Sequence, residues 1–170
     1  MKGNFALQDE ASASYIAENF RKFTDLLSIN SALAKRIQES TDPCTIFVPN
    51  AEAFTKLDSA VLSKLRDPRN GEVVEKITAY HFIEGSLLCE EDIYKAGAVV
   101  TEGGEVPVSR GKSGGFLGLG GKEDGSVKLN NAAIVNSVQI GNAIVHEMDG
   151  FINPFLLYRF LDAVRIPGMK

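Results

Sequence analysis

A chain of 170 residues, 44% apolar and 24% charged, has the composition of one globular domain large enough to bury a core. Its formal net charge of −4 argues against nucleic acid as the main partner, because phosphate binding needs a basic surface. No window approaches the roughly 20 apolar residues of a membrane span, and the opening MKGNFALQDE lacks the apolar core of a secretory signal.

Residues 1–14 read as an N-terminal extension. Ile16, Phe20, Phe23 and Leu27 then recur at helical spacing on one face, and Leu33 and Ile37 extend the apolar surface through a second short helix. In CTIFVPNAEAF, residues 44–54, Thr45 to Val48 are the β-branched and aromatic types of a buried strand. Pro49 lacks an amide hydrogen and stops the ladder, and Asn50 is a helix cap with Glu52 in the first turn. Phe54, Leu57, Val61, Leu62 and Leu65 carry helical stretches broken near Asp58 and Ser59, and residues 67–71 form a turn. Val73, Val74 and Ile77 mark a further helix that runs into a strand by Ile83. Glu90-Glu91-Asp92 is a helix N-terminus or a solvated turn.

From there short strands alternate with turn residues. Val99–Thr101 and Val106–Val108 form a hairpin around Gly103-Gly104, and strands follow at 127–129, 134–140 and 143–148. Turns fall at Asn130-Asn131 and Gly141-Asn142. The glycine-rich stretch 110–125 reads as a flexible or bulged loop, with Phe116 and Leu117 as its exposed apolar residues. A helical tail over 155–170 begins after a cap at Asn153 and Pro154. Helices first and antiparallel strands later make the class α+β.

The chemistry of a catalyst is missing from this pattern. Gly111-Lys112-Ser113 ends like a phosphate-binding loop, but Val106 stands where that loop needs glycine. His81 and His146 are the two possible general bases, and nothing adjacent makes either part of a triad. Together with a carboxylate they could hold a metal, although satisfied structural histidines are commoner. Cys44 and Cys89 do not form a C-x-x-C pair and are expected as two small buried side chains rather than a disulfide.

Two segments resemble the signatures of fasciclin-like (FAS1) domains. In the first, Thr45, Phe47, Pro49, Ala53 and Phe54 stand at the matching positions. In the second, VNSVQIGNAIVHEMDGFINP over 135–154, the matches are Asn142, Ile144, Val145, His146, Asp149 and Pro154, with Ala143 where the family usually has glycine. Tyr80-His81 resembles the Tyr-His segment between them. The resemblance covers residues 15–154 and implies a β-wedge of short, mostly antiparallel strands with packed helices, in which the signature residues serve the fold.

It also implies a non-enzymatic role in adhesion or protein–protein contact, at cell surfaces or in extracellular matrix, with no cofactor. The contact candidates are Tyr80 and His81 by the family motif, Phe116 and Leu117 in the glycine stretch, and Phe155, Tyr158 and Phe160 in the tail. Two alternatives stand beside this reading. One is an accessory subunit docked through its tail on a membrane complex, such as a photosystem on the lumenal side of the thylakoid. The other is a carrier of an apolar ligand such as a carotenoid. The lack of a glycosylation sequon suits a plastid protein at least as well as a matrix protein.

Overall fold

The computed structural model describes residues 2–29, 32–39, 42–113 and 122–152. The tail candidates Phe155, Tyr158 and Phe160, the motif residue Pro154, and Phe116 and Leu117 lie outside the described residues.

Three helices open the chain: α1 (Lys2–Asn19), α2 (Arg21–Ile29) and α3 (Ala32–Glu39). The expected face of Ile16, Phe20, Phe23 and Leu27 is buried, but two helices share it. At the break the Asn19 side-chain amide donates to the Tyr15 carbonyl and the Thr24 hydroxyl to that of Phe20, which also accepts from the Thr24 amide at 3.0 Å. Helix α1 runs through the expected boundary at residue 14, and Ser12 is already buried.

Next come β1 (Cys44–Pro49), α4 (Ala51–Thr55), α5 (Ser59–Leu65), a 3₁₀ turn (Pro68–Asn70), α6 (Gly71–Ala79) and β2 (Phe82–Glu84). Helix α7 (Glu90–Ala96) leads into β3 (Ala98–Thr101), β4 (Gly104–Ser113), β5 (Lys122–Leu129), β6 (Ala132–Ile140) and β7 (Ala143–Met148). The acidic triplet at 90–92 is thus the first turn of α7, where carboxylates suit the positive helix end. The glycine-rich stretch is less of a loop than expected. Its two ends are strand, with Lys112 opposite Glu123 and Ser113 opposite Lys122, beyond a bulge between Arg110 and Lys112.

Among the described residues seven strands form one sheet in the order β2-β1-β7-β6-β5-β4-β3, parallel at β1–β7 and antiparallel elsewhere. At Gly141-Asn142 the first turn residue has φ +58° and the second stays negative, so the turn keeps a glycine where it needs one although residue 143 is alanine. The sheet curls until its outer strands meet at one end, where the Glu102 amide donates to the Phe82 carbonyl at 2.9 Å.

Strand β1 is buried from Cys44 to Pro49, which explains its unbroken apolar run. Cys44, Ile46 and Val48 face a core beneath the helices, joined there by Phe23, Leu65, Ile77 and Phe82. Phe47 faces the other way, into the hollow of the curled sheet, with Ile93 of α7, Leu129, Met148 and Ile152. The molecule therefore has two cores on opposite faces of one strand.

Candidate functional site

The Pro49–Asn50 corner ends β1 with its last pair, Pro49 opposite Met148. Asn50 is the cap expected of it: its Oδ1 accepts from the Ala53 amide at 3.1 Å. Its Nδ2 also donates to Glu147 Oε2 at 2.8 Å, and its own amide to the Met148 carbonyl at 2.9 Å. Asp149 repeats the device one strand away, its carboxylate accepting from the Ala133 amide at 2.8 Å and its amide donating to the Ala133 carbonyl at 3.1 Å.

Thr45 and His146 act on a single target, the segment between β2 and α7. The Thr45 hydroxyl donates to the Ser86 carbonyl and accepts from the Leu88 amide, both at 2.9 Å. His146 Nε2 donates to the Leu88 carbonyl at 2.8 Å, which leaves Nδ1 to accept from the Ser137 hydroxyl at 2.6 Å. The imidazole stacks on Phe47, its register neighbour, at 5.3 Å between centroids. Burial pushes its pKa down.

His81 is the mirror case. Its Nε2 accepts from the Ile152 amide at 3.0 Å, so Nδ1 carries the proton and donates to the Ile77 carbonyl at 2.9 Å. Burial pushes its pKa down to about 4. Both histidines are neutral at pH 7 and both nitrogens of each have protein partners, so neither ring keeps a lone pair or proton for a substrate or metal. His81 is wholly buried, and the surface contact expected of it is corrected: the ring lies between the helix α6 carbonyl and the end of the domain, out of reach of a partner.

Tyr80, beside it, does face outward. The ring is half-buried against the β3–β4 turn, where a Cβ on Gly103 would stand 2.7 Å from Tyr80 Cδ2. Only glycine fits there. The Gly103 amide donates to the Ala79 carbonyl at 3.0 Å, fixing the turn to the end of α6. Tyr80 forms one wall of an open groove of about 530 Å³ with Glu72, Glu75, Lys76, Ala79, Glu102 and Gly103. Its charge is mostly negative. Arg36 closes the neighbouring corner, paired with Glu84 and, at 2.7 Å, with Glu102, its guanidinium 5.3 Å from the Phe82 ring centre.

A family model described as the Fasciclin domain matches residues 18–154. The chain belongs to the fasciclin domain family. Protein sll1483 of Synechocystis sp. is 28% identical over 113 residues, 66% of this chain and 56% of that protein. The FAS1 domain pair of the insect cell adhesion molecule fasciclin I matches with a TM-score of 0.66 at 14% identity, covering 82% of this chain and 49% of that one. The chain thus spans about half the length of the relatives it matches.

Within this fasciclin domain the signature residues are spread over both cores. Phe47 is in the sheet hollow, while Ala53 and Phe54 sit beneath the helices, where Phe54 meets Phe151 edge-on at 4.9 Å. Asn142 supplies its carbonyl to the Cys44 amide at 2.9 Å. Sequence reasoning did not single out Ser137 or Arg36, whose partners lie on other elements, and it read Gly103 as a turn residue without its contact to Tyr80. Cys44 and Cys89 form no disulfide, and Cys44 is buried as expected. Cys89 is a correction: it is exposed at the start of α7, its thiol 3.1 Å from Asp92 Oδ2, because the helix cap and not the core claims it.

Proposed function

We propose that this domain is a non-enzymatic module for protein–protein contact, with the groove beside Tyr80 as its contact surface. The observation that carries the reading is the use of the polar signature groups of Thr45, His146 and Asp149 inside the fold. Each is bonded to backbone of another segment, the neighbouring Asn50 caps a helix, and both imidazoles are neutral and saturated. What remains outward is a mainly acidic groove with an aromatic wall, a surface suited to recognition. The matched structure comes from a cell adhesion molecule, which supports the same reading. Proteins at cell surfaces or on membrane-associated complexes are the first partners to test.

The carrier alternative has less behind it. Two grooves among the helices, one lined by Leu26, Ile29, Phe54 and Leu62 and one by Ile16, Leu27 and Ile37, measure about 250 and 210 Å³. Pockets for small molecules usually enclose roughly 300–1,000 Å³. Docking through the tail rests on residues outside those described. A photo-crosslinking side chain at position 72, in the groove, is expected to trap a discrete protein in the native host, and the same group at exposed position 135 is not. Equal labelling at the two positions, or none at 72, would overturn the groove as the contact surface.

A further inference from the structure

The curled sheet closes at one end only. Strands β2 and β3 are its two edges, and they are joined by the Glu102–Phe82 backbone bond and by the Arg36 bridge from Glu84 to Glu102. Toward the start of β3 no backbone bond joins the two edges among the described residues. The register of the β3–β4 hairpin settles which backbone groups face the opening. The Val108 amide donates to the Gly97 carbonyl at 2.9 Å, and the pairs that follow are Ala98 with Pro107, Val99 with Val106, Val100 with Glu105 and Thr101 with Gly104.

In an antiparallel ladder, bonded and non-bonded pairs alternate. Gly97, Val99 and Thr101 therefore bond inward to β4, while Ala98 and Val100 turn their N–H and C=O groups outward. Glu102, next in that outward row, is the residue whose amide reaches Phe82. Among the described residues nothing receives the outward groups of Ala98 and Val100. Native edges are usually blunted by charge, proline or a bulge. The run AVVT has none of these on its own strand, and Val100 is 69% exposed.

We propose that this open edge binds an extended segment of another protein whose side chains alternate apolar and basic, adding it to the sheet as a further strand. The backbone row supplies hydrogen bonds of the kind that strand addition uses, and side chains supply the choice of partner. Val100 and its opposite Glu105 share the exposed face, with Glu102 and Glu84 at the closed end, so the basic side chains of the added strand fall on that face and meet carboxylates. The apolar side chains, one residue on, fall on the face of the buried Val99. A second copy of this chain would bring a second set of those carboxylates to the seam. The inference rests on the reading of the domain as a protein-contact module and adjoins the Tyr80 groove through Glu102.

The test titrates the isotope-labelled domain with a short synthetic peptide of alternating valine and lysine, following amide shifts and hydrogen exchange. The amides of Ala98 and Val100 are expected to shift and to gain protection. N-methylation of alternate peptide amides is expected to weaken binding about tenfold, the worth of one or two net hydrogen bonds. Val100→Pro removes an amide that the fold does not use, and is expected to do the same with the melting temperature unchanged. Should Val100→Pro lower that temperature, Val100→Lys keeps the amide, repels the basic peptide and is read instead. Unchanged exchange at Ala98 and Val100, equal binding of the methylated peptide, or equal binding of a peptide with glutamate in place of lysine would each overturn the proposal. So would protection that grows with protein concentration alone, which would mean a second copy. Glu72→Lys, in the groove, is expected to leave peptide binding intact. A failed crosslink at 72 beside intact peptide binding sinks the groove and spares the edge.

Discussion

The core beneath the helices and the core inside the curled sheet share β1, and they differ in how their buried polar groups are satisfied. Beneath the helices most bonds are local: Thr78 to the Val74 carbonyl, His81 to that of Ile77, Asn70 to that of Lys64. In the sheet hollow Thr101 also bonds locally, to Gly104, but the two signature residues bond at long range: Thr45 reaches Ser86 and Leu88, and His146 reaches Leu88 across 58 residues of chain. The cause is the kind of element that forms the lid. A helix satisfies its own backbone, whereas a loop packed on a core brings amides and carbonyls that need other partners. The segment at 86–88 is a partly exposed loop of this kind, and two signature residues, Thr45 and His146, are what it bonds to.

The largest effect is expected at the strand common to both cores. Phe47→Ala empties a wholly buried aromatic site and is expected to cost about 3–5 kcal/mol in denaturant unfolding. A midpoint close to that of the parent would show that the sheet-side core contributes little and would end the comparison.

The next effect is titration of the buried histidine on the helix side. His81 has a pKa of about 4 when folded against 6.5 for the free side chain, so between those values the unfolded chain binds the extra proton. The stability is present in full above pH 6.5 and is lost as pH falls toward 4, in all roughly 3 kcal/mol. His146, also lowered by burial, acts in the same direction. Urea midpoints at pH 7 and pH 4 should therefore separate more for the parent than for His81→Gln. Identical separations would mean that His81 does not titrate out of its folded range.

The comparison is sharpest in a pair of threonines. Thr45→Val takes a buried hydroxyl away from the part-buried Leu88 amide and Ser86 carbonyl, two bonds at once, and is expected to cost about 1–2 kcal/mol, with faster exchange at the Leu88 amide. Thr78→Val removes a hydroxyl bonded to a carbonyl of its own helix, and is expected to cost less than about 1 kcal/mol. Equal losses would show that the type of lid does not matter. The smallest effect is expected at the seam: Arg36, 42% exposed, holds Glu84 and Glu102 in a solvated fork, so Arg36→Ala is expected to cost under about 1 kcal/mol. Its mark should be faster exchange at the Glu102 amide, and unchanged exchange there would show that the backbone bond alone holds the edges together.

Local readings survived where the physics is local. Pro49 ending a strand, Asn50 capping a helix, the carboxylates opening α7 and the glycine at the 141–142 turn all depend on covalent geometry and on neighbours within a few residues. The apolar spacing of Ile16, Phe20, Phe23 and Leu27 marked a buried face correctly, though not the break at Phe20, because the face runs on across it. The glycine-rich stretch misled for a related reason: glycine permits a loop, and pairing across the bulge decided for strand at both ends.

What the sequence by itself determined, then, is the class α+β, the family through its two signatures, and the corner between β1 and α4. Tertiary structure alone decided that His81 is buried and Tyr80 is not, that Cys89 caps a helix in solvent, that Gly103 must be bare to admit the Tyr80 ring, and that β3 keeps an open edge beside a seam closed by Arg36. A residue's backbone preference is encoded in its own chemistry and that of its neighbours. Its exposure and its partners are set by chain from other elements, such as the 71 residues that separate His81 from the Ile152 amide.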